Sequence, residues 1–200
     1  MAPRRYKIKK RAEAVEETRR RIIDATFELH TKKGVVATSM QDVAARADVA
    51  LRTVYNHYPT IEDLVAGCSG KAMSLLSPPK PEIFDGLEAH DERMKRLVHE
   101  LFAMYERGAA AIEVARCEQG KVAALAAFVA GEEVLRESLA REALRPLRPQ
   151  QEIIDEVVAL TDFYVWKAFE QRNLKTHHAA DVVHRSLVAL TSPDEVGKRG

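Results

Sequence analysis

Between Gly34 and Pro59 the sequence GVVATSMQDVAARADVALRTVYNHYP leaves room for two short helices, one tight turn and little else. Gly34 suits a helix C-cap, where the backbone turns left-handed. Pro59 disfavours helical geometry at Tyr58, so a helix should end there. Inside these bounds TSMQ reads as a capping box: Thr38 caps the N–H of Gln41, and Gln41 reaches back. Met40, Val43, Ala44 and Ala47 then recur at i, i+3, i+4 and i+7, a narrow stripe of small apolar residues that lets another helix approach closely. Asp48 stands where a left-handed backbone is expected, which Asp tolerates. In the second helix Val54 and Tyr58, four apart, face inward. Arg52, Thr53, Tyr55, Asn56 and His57 are left on an outer arc that contains no acid.

Nearly every other periodic stretch is helical too, so the expected fold class is all-α with about nine helices. They are expected over 16–33, 39–48, 51–58, 60–76, a stretch ending near Gly108, 109–118, 121–144, 150–172 and 176–190. SPPKPEIFDG, residues 77–86, is the clearest internal break. The expected organisation is a basic flexible arm over 1–15, an N-terminal domain over 16–60 with a helix-turn-helix at 39–58, and a C-terminal domain over 61–200.

Charge separates the two ends. Residues 1–60 carry 13 Lys/Arg and 7 Asp/Glu, while residues 61–200 carry 18 and 23. A basic end suits a phosphate backbone or an anionic membrane surface. No apolar run approaches the ~18 residues that suggest a membrane span. MAPRRYKIKK has no apolar core of a secretory signal. Cys68 and Cys117 form no C-x-x-C pair, and two cysteines in a chain this size suit a reducing cytoplasm. The major groove admits one α-helix, and a short exposed helix with few acids fits it. Arg52 can bind guanine and Asn56 adenine. Thr53 can touch a thymine methyl, while Tyr55 and His57 more often reach phosphates. Thr38, at a helix N-terminus, would add a phosphate contact. The plainer reading is a solvated polar face.

No catalytic motif occurs: no G-x-S-x-G, no P-loop, no H-E-x-x-H and no G-x-G-x-x-G. No cofactor is expected. His177, His178, Asp181 and His184 have spacings that permit a metal, but nothing fixes a full ligand set, so no metal site is assigned. Glu113, Arg116 and Cys117 read either as polar groups in an apolar pocket or as an exposed ion pair beside a small core residue. Phe163, Tyr164, Trp166 and Phe169 crowd one helix, as in a core or a dimer interface.

Residues 17–64 resemble the DNA-binding domain of the tetracycline-repressor (TetR) family of bacterial transcription regulators. The resemblance rests on RIIDAT, the Gly34 break, TSMQDVA, VYNHYP and EDL. It implies a homodimeric, all-helical repressor of an operator on double-stranded DNA. Thr38, Leu51, Arg52, Thr53, Tyr55 and His57 would be DNA-facing. A small-molecule, largely apolar effector would enter the C-terminal domain, near Cys68, Met73, Leu101, Tyr105, Cys117, Phe128 and Phe163. The last two helices, 150–172 and 177–190, would pair with their copies. The sequence departs from the family pattern at four places. Asp48 replaces the usual glycine, Ala50 the usual capping serine, Ile61 a phosphate-contacting lysine, and His30 a core aromatic. Two other readings remain: a constitutive DNA-binding or architectural protein without effector, and a helical enzyme with an incidental basic face.

Overall fold

A computed structural model describes the backbone of residues 3–191 and the side chains of residues 9–191. The described part is all-helical: α1 (Pro3–Lys33), α2 (Met40–Ala47), α3 (Leu51–His57), α4 (Ile61–Leu76), α5 (His90–Glu118), α6 (Ala123–Leu144), α7 (Gln151–Leu160), α8 (Phe163–Glu170) and α9 (Thr176–Leu190), with short 3-10 turns at Pro81–Phe84 and Arg145–Leu147. These helices form two compact units. Among the described residues, those up to 75 group with 110–127, and 76–109 group with those from 128 on. The division therefore differs from a boundary at residue 60, because α4 packs back on α1. A Cβ on Gly67 would lie 2.7 Å from Ile23 and 2.8 Å from Tyr58, so a larger residue would force these side chains to shift.

Three elements differ from the sequence expectation. The basic segment expected as a flexible arm is helical from Pro3, so α1 has 31 residues. Its Arg, Lys, Ala and Glu residues are strong helix formers, and proline fits the first turn. Side chains 1–8 and all of 192–200 lie outside the described residues. Secondly, α5 does not break at Gly108 but runs on to Glu118. An interior glycine costs about 1 kcal/mol, which the following alanine run and the burial of Ile112 and Ala115 offset. Thirdly, the expected 150–172 helix is cut at Thr161–Asp162.

That cut is made by side chains. The Thr161 hydroxyl donates to Val157 O at 2.7 Å, and Arg136 donates to Val158 O at 2.7 Å. The Tyr105 hydroxyl lies 3.0 Å from Thr161 O and 2.9 Å from Glu132 Oε1. Asp162 then caps α8, accepting from the Tyr164 N–H at 2.8 Å. The carbonyls that would continue α7 are thus bound elsewhere. Arg136 also pairs with Asp162 at 3.2 Å, and with Glu132 at 2.8 Å but off the hydrogen-bonding direction. Burial and the neighbouring Glu132 carboxylate hold the Tyr105 phenol well above its ordinary pKa, so it stays protonated.

The second unit has a closed centre: Leu101, Phe102, Tyr105 and Phe163 are fully buried. Tyr105 and Phe163 meet edge-on, with ring centroids 5.6 Å apart. Arg93, also buried, donates to the carbonyls of Ala143, Phe84 and Leu87. Along α5 and α9, His99 pairs with Asp181 and His184 with Asp91, each at 3.0 Å, and Thr176 with Glu106 at 2.7 Å. Asp181 and His184, grouped in the sequence as a conceivable metal set, are therefore engaged in helix pairing. The described residues hold no group of three or more metal-ligating side chains.

Candidate nucleic-acid interface

In the first unit, Ile22 and Ala25 of α1, Met40, Val43, Ala44 and Ala47 of α2, Val54 of α3, Tyr58, and Leu64 of α4 form one buried cluster. Its purpose for the site is to hold α3 from beneath. Val54 is fully buried and Tyr58 nearly so, and the Tyr58 hydroxyl accepts from Arg19 Nε at 3.1 Å. The opposite face carries Leu51, Arg52, Tyr55 and Asn56 exposed, with Thr53 and His57 half-exposed. Leu51 is 39% and Tyr55 47% accessible, too open for two large side chains without a partner surface to be core. No described residue makes a side-chain hydrogen bond or ion pair to Arg52, Tyr55 or Asn56, so their donors face solvent.

The turn between α2 and α3 is held from outside. Asp48 is left-handed (φ 52°, ψ 55°), as expected, and the Val49 N–H closes on Ala44 O at 3.1 Å. Arg21 of α1 donates to Ala47 O at 2.5 Å and to Asp48 O at 2.9 Å, binding the carbonyl end of α2. Ala50 begins α3 with no side-chain cap. Ile61, where the TetR pattern has lysine, is half-buried against the cluster. Thr60 and Asp63 cap α4 reciprocally, with Asp63 N–H to Thr60 Oγ1 at 3.1 Å and Thr60 N–H to Asp63 Oδ2 at 3.0 Å.

The start of α2 corrects the sequence reading by one residue. Ser39, not Thr38, is the N-cap: its hydroxyl accepts from the Asp42 N–H at 3.1 Å, and Asp42 accepts from the Ser39 N–H at 2.9 Å. TSMQD contains two overlapping capping boxes, and the burial of Met40 as the first helical residue selects the second. Thr38 is buried and its hydroxyl donates to Gly34 O at 2.7 Å, so that side chain faces inward rather than toward a phosphate. The Lys33 ammonium at 2.8 Å, with the Ser39 hydroxyl and N–H, holds the Asp42 carboxyl well below the usual range.

Sequence reasoning missed Arg21, Asp42 and Glu118. Glu118 accepts from the Val35 N–H at 2.7 Å and the Val36 N–H at 3.1 Å. Its partners lie more than 80 residues away in the chain, beyond any local pattern. Of the residues named for an effector, Cys68, Met73 and Cys117 belong to the first unit and Leu101, Tyr105, Phe128 and Phe163 to the second. Cys68 is buried, its sulfur 3.7 Å from His30 Nδ1, and its thiol is pushed up to about 11 by burial. Met73 and Cys117 are exposed, and Phe128 is half-buried.

A family model described as bacterial regulatory proteins, tetR family, matches residues 22–68. Over 63 residues the chain is 41% identical to the HTH-type transcriptional repressor KstR of Mycobacterium tuberculosis, covering 32% of this chain and 29% of that protein. Over 47 residues it is 49% identical to KstR of Rhodococcus jostii, covering 24% and 22%. The similarity thus spans less than a third of these relatives. A TetR-like transcriptional regulator from Rhodococcus sp. RHA1 has the same fold, with a TM-score of 0.66 at 19% identity, covering 86% of this chain and 94% of that one. The multidrug binding protein EbrR, complexed with imidazole, superposes with a TM-score of 0.58 at 22% identity, covering 84% and 88%. These likenesses extend over both units at the level of the fold, and the sequence match falls on the helices that present α3. Residues 22–68 thus match the family model of bacterial regulatory proteins, tetR family, and the chain shares the fold of TetR-like regulators.

Proposed function

We propose that the chain is a one-component transcriptional repressor, released from a near-palindromic operator by a small-molecule effector. The observation that carries the reading is α3: Val54 and Tyr58 pin it, while Arg52, Tyr55 and Asn56 are exposed and make no side-chain hydrogen bond or ion pair among the described residues. Leu51, Thr53 and His57 complete the DNA-facing set. The named relatives are repressors, which supports repression over activation. The protein acts as a cytoplasmic homodimer through α7, α8 and α9, without catalysis. Its two reader helices enter successive major grooves about 34–36 Å apart. The effector must bind the released state more tightly than the DNA-bound state, or nothing shifts. EbrR, of similar fold, is named for binding drugs, which supports a small-molecule effector here. No helix of the described residues is long and apolar enough to cross a membrane.

The test is a gel shift with DNA upstream of the protein's own gene. Arg52→Ala should weaken binding by about tenfold or more if it reads a base, since a bidentate contact is worth roughly 1–3 kcal/mol. Tyr55→Phe should weaken binding less, and both variants should keep full helical circular dichroism. Binding of both at the parent's affinity would refute the assignment. One observation favours a second reading, a constitutive DNA-binding protein: the centre of the second unit is filled by Leu101, Phe102, Tyr105 and Phe163. A thermal-shift screen separates the two, because an effector raises the melting temperature and releases DNA.

A further inference from the structure

We propose that Glu118 is a positioning residue for the reader, fixing the turn that leads into α2 and thereby the operator spacing the protein accepts. The proposal rests on the repressor reading above. Glu118 is the last residue of α5, and its carboxylate binds two successive amides, Val35 and Val36, at 2.7 and 3.1 Å. A charge-assisted pair of this kind is stronger and more directional than a neutral one. The site is shaped for it. Gly34 has φ 91°, and a Cβ there would stand 2.3 Å from Glu118 Oε1, so a glycine both makes the turn and admits the carboxylate.

The other anchors of the turn 34–38 are the buried Val35 and Thr38 side chains and bonds within the turn, including Thr38 N–H to Val35 O at 3.0 Å. Thr38 bonds Gly34 O within the turn itself, and the Gly34 N–H bonds His30 O at the end of α1. Two residues further on, Met40 opens α2, which with α3 forms the reader. Glu118 therefore holds the point where the reader leaves α1. The helix that carries Glu118 is uninterrupted: residues 90–109 of α5 belong to the second unit and 110–118 to the first. A shift of α5 along or about its axis is delivered to Val35 and Val36 without passing through a loop. In a two-fold dimer, such a link narrows the range of separations the two readers can adopt. Loosening it spreads that range, which weakens binding to the best operator and relaxes discrimination against wrongly spaced ones.

The experiment selects an operator with the full-length parent from a random DNA pool, then lengthens the centre of that operator by two base pairs. Affinities are measured for the parent, Glu118→Ala and Glu118→Gln by fluorescence anisotropy, with hydrogen exchange at Val35 and Val36. The parent should lose at least about thirtyfold in affinity on lengthening, and Glu118→Ala less than about fivefold, because a loosened reader adapts to the new separation. Exchange at the two amides should accelerate in Glu118→Ala. Glu118→Gln keeps an acceptor oxygen and should fall between; it carries the comparison if the alanine variant loses helical content. Equal spacer discrimination by parent and variant, or unchanged exchange at Val35 and Val36, overturns the role of Glu118 alone. A pool in which the parent enriches no DNA overturns the repressor reading, and this proposal with it.

Discussion

His30 is 95% shielded from solvent against Cys68, and its Nε2 finds no partner in the interior. Burial lowers its pKa from 6.5 to about 4, an effect the Glu118 carboxylate only partly opposes. The folded protein therefore keeps this imidazole neutral while the unfolded chain protonates it below about pH 6.5. Its contribution to stability is complete above that pH and is lost as pH falls toward 4. Between pH 7 and pH 5 the loss is roughly 2 kcal/mol. His30→Phe restores an aromatic that cannot titrate. Thermal melts should show a smaller drop between these pH values for the variant than for the parent, and an equal drop would contradict the account. The histidine was visible in the sequence as a departure from a pattern. Its pairing with Cys68 was not, because contacts 38 residues apart leave no periodic trace.

Local signals explain which elements were legible. The α2–turn–α3 unit could be read because most of its determinants lie within a few residues: the apolar stripe, the left-handed Asp48, the stop at Pro59 and the Thr60 cap; Arg21, 26 residues from the Ala47 carbonyl it binds, was missed. The weak start of α3 was equally readable, since Ala50 has no side-chain acceptor. Ala50→Ser should raise stability by about 1 kcal/mol, seen as a higher denaturation midpoint with unchanged m-value. No gain would mean that water or a neighbour already satisfies the free amides. The long-range elements were misread. The end of α7 is decided by Arg136 and Tyr105, which are 22 and 56 residues from the carbonyls they bind. Thr161–Asp162 is a legible cap in retrospect, but an apolar period running through it from Ile153 to Phe169 argued for continuity. The fusion of α5 across Gly108 and the split of α7 from α8 offset one another in the number of α-helices among the described residues.

The whole molecule divides its tasks between two units with different chemistry inside. The reader unit is closed by small apolar residues and tied by surface pairs such as Lys71–Asp24 and Lys33–Asp42. The second unit buries charge beside its apolar centre, with Glu132 and Arg136 both buried. Arg136→Met would remove the buried cation that pairs with Glu132 and Asp162, a lesion that costs about 3–5 kcal/mol. Hydrogen exchange should then quicken over residues 128–170, while the amides of residues 16–60 stay protected as in the parent. Uniform loss of protection across the chain would mean that the two units unfold as one.

The unbroken run of α1 from Pro3 to Lys33 sets a phase as well as a length. Ile22 is locked in the reader core, and each residue along an α-helix advances about 100° around the axis. The exposed Lys10 and Arg11 consequently point in directions fixed by their count from Ile22 rather than by any contact of their own. Deleting one uncharged residue between Arg11 and Ile22, such as Ala12, would swing both cations about 100° with no change in net charge. Removing seven residues would nearly restore their bearing, about 20° short of full turns. In this helix, sequence spacing is an angle.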